Sequence, residues 1–386
     1  MNSLLLSFFW SRLFAMCAAA FFISAPICRG NVSVKKEIER SIDKGISWLY
    51  NQQQLPNGHW GSPDYPALTA LALRSLLGHP DAHKAGKYTK QIEAGFAFLR
   101  SKVQSDGGIY GKGLASYNTS ISLLAFLQKK DPSDAEIIQD ARRFIINQQS
   151  DFDQKGVTDN LFDGGVGYGS TWAHSDLSNT HLALEALYFV KKSIKEKESP
   201  LVDLDWDAAI EFVSKCQNLP QANDQEWVSA EKEDLGGFIY FPGKSMAGER
   251  TSDEGRVSLR SYGSMSYAGL LSFIYAEMSS DDSRVVAVRD WLSQNFTVEE
   301  NPGMGMQGLY YYYHTMAKAL TLSGVEEIVT ADEKSVDWRE KLAFKLFDEQ
   351  ESDGFWINES GRWWEKDPVL VSCYAILALE RIYYAL

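Results

Sequence analysis

The sequence predicts an all-α protein whose helices close into an (α/α)6 toroid, a double-layered barrel of six tandem helical-hairpin repeats. Three observations predict this fold class. A unit made of an amphipathic helix, a Gln, a Gly-rich turn with an aromatic residue and a second helix recurs along the 386 residues. The second helix of each unit is more apolar than the first. Hydrophobic residues make up 45% of the chain, as expected of a protein with a large core.

The chain is predicted to begin with a secretory signal peptide over residues 1–30. This segment holds two charges, Arg12 and Arg29, and residues 13–27 are nearly all apolar or small. An apolar stretch of this length behind a basic residue is typical of a cleaved leader. We therefore expect export to a periplasmic or extracellular location, with residues 31–386 as a single toroid domain. An uncleaved leader that anchors the protein in a membrane is the alternative.

The charge and the cysteines exclude some classes of function. The formal net charge is −13, and an acidic chain repels phosphate groups, which argues against binding to nucleic acid or to anionic lipid. Of the four cysteines, Cys17 and Cys28 lie in the predicted leader. Cys216 and Cys373 remain, and two cysteines so far apart in the sequence make no disulfide framework. Beyond the leader, no run of about 18 apolar residues is free of charge, so the mature chain is not expected to span a membrane.

The first repeat shows the unit most clearly. Its first helix is predicted at 44–53, and the Gly-rich turn 57–61 holds Trp60. A second helix is predicted to start at Pro66, because proline favours the first turn of a helix. Gly78 is the expected stop of this helix.

Five further repeats follow the same order. Their first helices are predicted at 94–99, 141–149, 208–217, 288–295 and 338–350. Their turns lie at 106–111, 163–168, 236–240, 303–305 and 353–356. Their second helices are predicted at 117–127, 178–190, 264–278, 308–322 and 369–385. The first helices mix charges with one hydrophobic stripe and should form the outer layer, whereas the second helices are apolar on most faces and should be buried on both sides.

The recurring Gln, turn glycine and aromatic residue resemble the QW repeat of squalene and hopene cyclases, and the related repeat of protein prenyltransferase β subunits. The resemblance covers nearly the whole mature chain and implies the same toroid. In that family the Gln and the turn aromatic tie the outer helices together. The resemblance therefore implies a structural role for Gln52, Gln148, Gln217, Gln350, Trp60, Tyr110, Tyr168, Tyr240 and Trp356.

The second helices of such a ring point the same way, so their N-termini should converge at one mouth. Six aligned helix dipoles favour an acidic side chain or an anionic ligand there. The charged, Gly-rich segment 220–260 is longer than the repeat needs. Because long loops are usually functional or disordered, we predict that this segment forms a lid over the mouth.

The segment that starts at Asp176 resembles the Asp-x-Asp-Asp-Thr segment of squalene-hopene-type cyclases, in which the middle Asp protonates the substrate. Here the middle position is Ser178 and the next is Asn179. A serine hydroxyl cannot protonate an alkene, so the acid of that family is absent. Asp176 remains, either as an acid or as the N-cap of the helix that follows.

Residues 312–315 resemble the Tyr-His-Thr segment of prenyltransferase zinc sites and offer His314 as a ligand. The preceding repeat offers neither carboxylate nor thiolate at 262–267, and a zinc site needs three protein ligands. We therefore expect no metal and no other cofactor. His314 is a candidate polar group in a central cavity, with a satisfied core residue as the alternative.

The candidate site residues are those that the ring should bring to its mouth. The candidate catalytic residues are His314, Tyr313, Asp176, His174 and Glu365. The candidate ligand-binding residues are Tyr117, Trp172, His181, Tyr262, Tyr310, Trp363 and Trp364. Aromatic faces attract cations, and they also stack on sugars and contact apolar chains. The lining therefore indicates a ligand cavity without naming the ligand.

Three functions are consistent with these residues. The first, which we take as the prediction, is binding or processing of an apolar, isoprenoid-like small molecule, by a terpene-cyclase-like enzyme if the protein is catalytic. The second is a non-catalytic extracytoplasmic scaffold that binds a protein partner. The third is a polysaccharide-active enzyme that uses carboxylates, Tyr and His, and a pair of opposed carboxylates would favour it.

Overall fold

The computed structural model of the protein describes residues 25–54, 56–169, 172–193 and 202–386. Residues 1–24 of the predicted signal peptide lie outside these ranges, so the leader stays a prediction. In chain order the helices are α1 (Ala25–Gln52), α2 (Pro66–Leu77), α3 (Ala82–Gly86), α4 (Thr89–Arg100), α5 (Ala115–Lys129), α6 (Ala135–Ile146), α7 (Leu177–Ser193), α8 (Trp206–Lys215), α9 (Gly263–Tyr275), α10 (Ser283–Gln294), α11 (Leu309–Leu322), α12 (Trp338–Asp348) and α13 (Pro368–Ala385).

Six of the described helices form a closed inner ring. Helices α2, α5, α7, α9, α11 and α13 each pack against the next, and α13 packs back against α2. Helices α1, α4, α6, α8, α10 and α12 alternate with them along the chain and pack around the outside of the ring. The protein is thus an all-α (α/α)6 toroid, as the sequence predicts.

In the part of the chain that the structure describes, three short antiparallel hairpins lie in the connections between helices. They pair β1 (Gly167–Gly169) with β2 (Trp172–Ser175), β3 (Glu249–Thr251) with β4 (Val257–Leu259), and β5 (Glu327–Val329) with β6 (Ser335–Asp337). The registers place Glu249 opposite Leu259 and Glu327 opposite Asp337. Each hairpin has two strands and none forms a layer of its own, so the core belongs to the helices.

The inner helices are buried on nearly all faces, as their apolar sequences predict. Every residue of α2 from 66 to 76 and of α13 from 369 to 380 is buried. The outer helix α6, in contrast, buries one stripe that centres on Phe144. By length and composition α13 could cross a membrane, but 72% of it is buried inside the protein. In this fold α13 is a core helix of the ring.

A glycine with positive φ, followed two residues later by a buried side chain, shapes the turn in five of the repeats. The φ angles of these glycines lie between 77° and 100°. A Cβ atom on any of them would lie 2.0 to 2.7 Å from a backbone oxygen of a neighbouring outer helix, so only glycine fits. The glycines are Gly58, Gly107, Gly164, Gly236 and Gly354, and the buried residues are Trp60, Ile109, Val166, Phe238 and Trp356. The backbone N–H of each buried residue donates to a Ser or Thr hydroxyl of the following inner helix.

Because the buried side chain lies two residues after the turn glycine, the structural role predicted for Tyr110, Tyr168 and Tyr240 is wrong. The buried turn position precedes each of these tyrosines by one or two residues, and Tyr168 and Tyr240 face the mouth of the ring instead. Trp60 and Trp356 do hold the predicted structural position. The indole N–H of each donates to a carbonyl oxygen of the preceding outer helix at 2.7 Å.

Glutamine side chains tie each of four turns to the next outer helix. Nε2 of Gln217 donates to the carbonyl oxygens of Gly236 in the turn and of Arg284 in α10, both at 2.9 Å. Equivalent pairs of bonds are made by Gln53, Gln149 and Gln350. The predicted role of the glutamines is therefore present, but in the first and third repeats it belongs to the residue after the expected Gln52 and Gln148.

The segment 220–260, predicted as a lid, is anchored to the ring by a buried carboxylate. Asp234 is 2% exposed, and its side chain accepts hydrogen bonds from the backbone N–H of Ser261 and from two side chains of the segment. Phe241 and Met246 extend from this segment to the mouth of the ring. The segment thus supplies one wall of the central cavity.

Candidate functional site

A cavity of about 470 Å³ lies where the N-termini of the inner helices meet. Each inner helix contributes side chains from its first two turns, namely Ala67, Tyr117, Ser178, Met265, Tyr311 and Leu370. The connections before these helices complete the wall, and about half of the lining is aromatic. The predicted mouth therefore exists and holds an aromatic cavity of the size that small-molecule ligands occupy.

Hydroxyl groups in this wall are paired with one another. The hydroxyls of Tyr117 and Tyr374 lie 3.2 Å apart, although their helices start from different repeats. The hydroxyl of Tyr311 lies 3.5 Å from Oγ of Ser178 and 3.4 Å from Nδ1 of His181. These contacts occupy part of the polar surface of the wall, and most of the remaining lining consists of ring faces and aliphatic groups.

Asp176 caps helix α7 behind the wall of the cavity. Its Oδ1 accepts the backbone N–H of Asn179 at 2.9 Å, and its Oδ2 accepts the Asn179 side chain at 2.8 Å. The Tyr240 hydroxyl also bonds to this carboxyl, and Tyr168 bonds to Tyr240 and Asn179. Asp176 is fully buried, and burial raises its pKa from 3.8 to about 7.

Glu365 caps a different helix and lines the cavity itself. Helix α11 starts after Gly308, whose φ is 66° and which has no side chain to accept its free N–H groups. Oε1 of Glu365 accepts the backbone N–H of Tyr311 at 2.8 Å, and Oε2 accepts that of Tyr310 at 3.3 Å and the amide of Asn358 at 2.6 Å. Burial raises the pKa of Glu365 from 4.5 to about 7 despite these donors.

The three candidate histidines lie at different depths. His174 lines the cavity, with its ring centre 4.5 Å from that of Phe241. His314 lies beneath the wall and stacks on Tyr374 at 5.3 Å, and His181 lies beneath Tyr311. Burial lowers the pKa of His181 to about 4 and lowers that of His314 well below 6.5, so both are neutral at pH 7.

Several candidates from the sequence meet at the cavity and others do not. Those in the lining are Tyr117, His174, Tyr262, Trp363, Trp364 and Glu365. Tyr313 packs between helices, where its hydroxyl donates to the carbonyl of Val298, and the ring of Tyr310 packs against it at 5.5 Å. The backbone of Trp172 lies in β2, but its side chain lies outside what the structure describes.

Sequence reasoning missed Tyr65, Tyr168, Tyr240, Phe241, Tyr311 and Tyr374 as lining residues. For Tyr311 a signal was present, because residues three apart share a helix face and His314 was already placed towards the axis. We predicted that Tyr310, four residues before His314, lines the cavity, but the lining residue is Tyr311. For Tyr168 and Tyr240 the signal was their distance of four residues from the turn glycine, which takes them beyond the buried position.

A charged layer fills the axis of the ring below the histidines. Nζ of Lys318 in α11 lies 2.6 Å from Oε2 of Glu185 in α7, and Nη2 of Arg74 in α2 lies 3.8 Å from Oε1 of Glu185. All three side chains are at least nine-tenths buried. Burial lowers the pKa of Lys318 to about 8, while Lys318 and Arg74 hold the carboxyl of Glu185 ionised.

Within the described residues, no three His, Cys, Asp or Glu side chains form a group that could hold a metal ion. The two carboxyl groups near the cavity, Asp176 and Glu365, each accept hydrogen bonds on both oxygens. The lining of the cavity itself offers aromatic faces, tyrosine and serine hydroxyls, the imidazole of His174 and the carboxyl group of Glu365.

Comparison with known proteins shows the fold and no family. No protein-family model and no curated protein sequence matches this chain. Among solved structures, it is similar to a variant of the type II terpene cyclase MstE from Scytonema in complex with its substrate, geranylgeranyl dihydroxybenzoate. The TM-score is 0.55 at 11% identity, covering 92% of this chain and 100% of the cyclase.

Two further solved structures share the architecture. The GH76A α-1,6-mannanase from Salegentibacter sp. HEL1_6 has a TM-score of 0.58 at 10% identity, covering 90% of this chain and 100% of the mannanase. A protein from Actinoplanes has a TM-score of 0.53 at 11% identity, again with 90% and 100% covered. At such low identity these likenesses establish the α/α toroid and leave the ligand to be argued from the cavity.

Proposed function

We propose that the protein binds an apolar, isoprenoid-like small molecule in the aromatic cavity at the mouth of the ring. The observation that carries this proposal is the cavity itself, about 470 Å³ in volume and lined largely by tyrosine, tryptophan and aliphatic side chains. Burying an apolar chain against such a wall is favourable by roughly 25 cal/mol for each Å² of apolar surface removed from water. We also keep, as part of this proposal, the prediction from the repeat that the protein is terpene-cyclase-like if it is catalytic.

The polar groups of the wall favour an apolar ligand over a sugar. A sugar brings a ring of hydroxyls that each need a partner once they are buried. Here Tyr117 is bonded to Tyr374, and Tyr311 lies within reach of Ser178 and His181. Glu365 already accepts three hydrogen bonds from the protein. Polar groups that already bond to one another leave fewer partners for the hydroxyls of a buried sugar.

The proposal is for binding, and Glu365 is the group that a reaction in the cavity would use as an acid. It is the carboxylic side chain in the described lining. Burial raises its pKa to about 7, so a large fraction of it carries a proton at neutral pH. Asp176 lies one layer behind, screened by Tyr240. We also propose export of the protein, on the leader-like sequence of residues 1–30.

The first test is to identify what the protein carries. Native mass spectrometry of the purified chain, followed by organic extraction, is expected to show a lipid or isoprenoid at a stoichiometric amount. Titration with geranylgeraniol, followed by tryptophan fluorescence, is expected to saturate, and titration with α-1,6-mannotriose is not. Saturation by the sugar alone would select the polysaccharide interpretation, and no co-purifying lipid together with no response to geranylgeraniol would contradict the proposal.

A pair of variants ties the binding to the cavity. Ser178→Phe places a ring inside the cavity and is expected to weaken geranylgeraniol binding by at least about tenfold, because a filled cavity excludes the ligand. Ser280→Phe adds the same ring at an exposed turn after α9 and is expected to leave binding unchanged. Equal affinities for both variants would place the ligand elsewhere on the molecule.

A further inference from the structure

A short loop at the mouth of the ring has closed, buried ends and an exposed tip. The backbone N–H of Asn358 donates to the carbonyl of Glu365 at 3.1 Å, and its side chain donates to Oε2 of Glu365 at 2.6 Å. These two bonds bring the ends of residues 359–364 together. Asn358 is 2% exposed and Glu365 is 1% exposed, whereas five of the six residues between them are exposed. We call residues 359–364 the flap and the Asn358–Glu365 pair its neck.

The neck is fixed to the body of the protein. The Asn358 side chain also donates to the carbonyl of Met306 at 2.7 Å, and Glu365 caps helix α11. On the far side, Asp367 caps helix α13 by accepting the N–H of Val369. Any movement of the flap must therefore turn about the neck, because both of its ends are held by buried hydrogen bonds.

The tip of the flap covers the cavity in a strained conformation. Trp363 and Trp364 both line the cavity, and they are 41% and 47% exposed. Their φ angles are 53° and 65°, the left-handed region that bulky residues rarely adopt. Each such residue costs on the order of 1 to 2 kcal/mol, so the closed form persists only where contacts hold it.

The side-chain contacts that hold the tip lie near solvent. Besides them, the carbonyl of Trp364 accepts the backbone N–H of Asp367 at 2.8 Å, and Nη2 of Arg362 donates to Sδ of Met246 at 3.3 Å. Nη1 of Arg362 donates to Oε1 of Gln307 at 2.6 Å, and the guanidinium lies 4.4 Å from the ring centre of Trp363. Trp364 meets Tyr65 edge-on at 4.6 Å. Solvent-exposed bonds of this kind contribute little compared with the buried bonds of the neck.

We propose that the flap is the gate of the cavity: it turns about the Asn358–Glu365 neck, lifts Trp363 and Trp364, and admits the ligand when the Arg362–Gln307 latch breaks. The identity of the ligand rests on the proposed function, but the motion of the flap does not. A strained tip with a weak latch and a fixed neck forms a two-state element, because opening releases the strain and exposes the rings to water. When the flap closes, it covers the cavity and the hydrogen bond between Arg362 and Gln307 forms again.

Cleavage by trypsin after Arg362 measures opening without any ligand. Gln307→Ala removes the acceptor of the latch and leaves the cleavage site intact. The rate of cleavage at Arg362 is expected to rise by about two- to fivefold, as for the loss of one solvent-exposed hydrogen bond. Gln294→Ala, at the exposed end of α10, is the matched control and should be cleaved at the wild-type rate. Equal rates in all three proteins would overturn the latch.

The kinetics of geranylgeraniol binding, followed by stopped-flow fluorescence, distinguish a gate from an ordinary wall. Gln307→Ala is expected to raise the association and dissociation rates together and to leave Kd nearly unchanged, since the latch controls access rather than contact. A change in Kd with an unchanged association rate would contradict the gate. If geranylgeraniol does not bind at all, the proposed function fails. The rate of trypsin cleavage at Arg362 then still shows whether the flap opens.

A cross-link provides the reverse experiment. Cysteines at Gln307→Cys and Arg362→Cys, in a chain that also carries Cys17→Ser and Cys28→Ser, can be joined by a bis-maleimide, because the remaining Cys216 and Cys373 are buried. The joined protein is expected to associate with geranylgeraniol at least about tenfold more slowly than the same variant left unjoined. Association at the unjoined rate would place the entrance elsewhere.

Discussion

Two carboxyl side chains near the cavity, Asp176 and Glu365, satisfy the N-termini of inner helices in different ways. Asp176 caps its own helix, α7, from the adjoining position. Glu365 reaches α11 from the next repeat, because the residue before α11 is Gly308 and offers no acceptor of its own. Both groups are buried, and burial raises the pKa of each to about 7. Helix capping has thus placed two acids with raised pKa values beside one apolar cavity.

The raised pKa of Asp176 predicts how stability depends on pH. The unfolded side chain ionises near pH 3.8 and the folded one near 7. Between these values the folded state binds more protons, so the contribution of Asp176 is complete below pH 3.8 and is lost as the pH rises to 7. Relative to wild type, the free energy of unfolding of Asp176→Asn should therefore rise across this window, by up to about 4 kcal/mol. Urea unfolding at several pH values measures the difference.

The stability of the wild type alone cannot isolate Asp176, because other groups titrate in the same window. The pKa of His181 is lowered to about 4, so the contribution of His181 to the free energy of unfolding rises with pH where that of Asp176 falls. Subtracting the wild-type value removes such contributions. Asp131→Asn is the control. The pKa of Asp131 is lowered to about 2, so its difference from wild type should stay constant between pH 4.5 and 7. A constant difference for Asp176→Asn as well would mean that Asp176 ionises near its ordinary value in the folded protein.

Individual site residues were predictable where helix geometry decides their direction. Tyr117 and Tyr262, beside the starts of α5 and α9, were placed correctly because they adjoin the converging N-termini. Tyr310 was chosen over Tyr311 because a run of four tyrosines gives no periodic contrast, so only packing decides which ring faces the axis. His181 and His314 lie one layer deeper than expected, since the aromatic rings above them are large enough to close the cavity floor.

At the scale of elements, the turn glycines explain why the repeat tolerates so much change elsewhere. The residue two positions after the glycine varies among Trp, Ile, Val and Phe, and all five are fully buried. The glycine itself cannot vary, because its missing Cβ lets the turn contact the backbone of a neighbouring outer helix. The sequence therefore predicted the existence and order of the helices well. It misplaced Gln52 and Gln148 by one residue because adjacent glutamines, 52–53 and 148–149, leave the register to packing.

Gly164 and Gly156 have similar φ angles but different surroundings. Comparing their substitutions therefore separates the cost of a steric clash from the cost of backbone strain. A Cβ on Gly164 would lie 2.0 Å from the carbonyl oxygen of Ala208 in α8, whereas one on Gly156 would meet no atom within 4 Å. Their φ angles are 84° and 78°. Gly156→Ala should cost about 1 kcal/mol from strain alone, and Gly164→Ala at least about 3 kcal/mol because the turn and α8 must separate. Thermal unfolding of both variants tests this, and equal losses would show that the contact relaxes freely.

At the scale of the whole molecule, the charged layer links helices that are not neighbours in the ring. Arg74, Glu185 and Lys318 lie on α2, α7 and α11, which are alternate members of the inner ring. Contacts between adjacent helices close the ring along its circumference. The charged layer adds ion pairs that connect α2, α7 and α11 across the axis of the ring. The layer also fills the space below the histidines, so the cavity is confined to the mouth.

Removing Lys318 alone should therefore be more damaging than removing Lys318 and Glu185 together. Lys318→Met leaves the buried carboxylate of Glu185 with only the more distant Arg74, and such a loss typically costs about 3 to 5 kcal/mol. Lys318→Met combined with Glu185→Leu removes the closest pair but leaves the buried Arg74 without its carboxylate partner, so it should recover only part of that loss. Urea unfolding of the two single variants and the double variant measures the coupling. If the double variant lost the sum of the single losses, the pair would not be coupled, and the cross-axis link would have to rest on Arg74 alone.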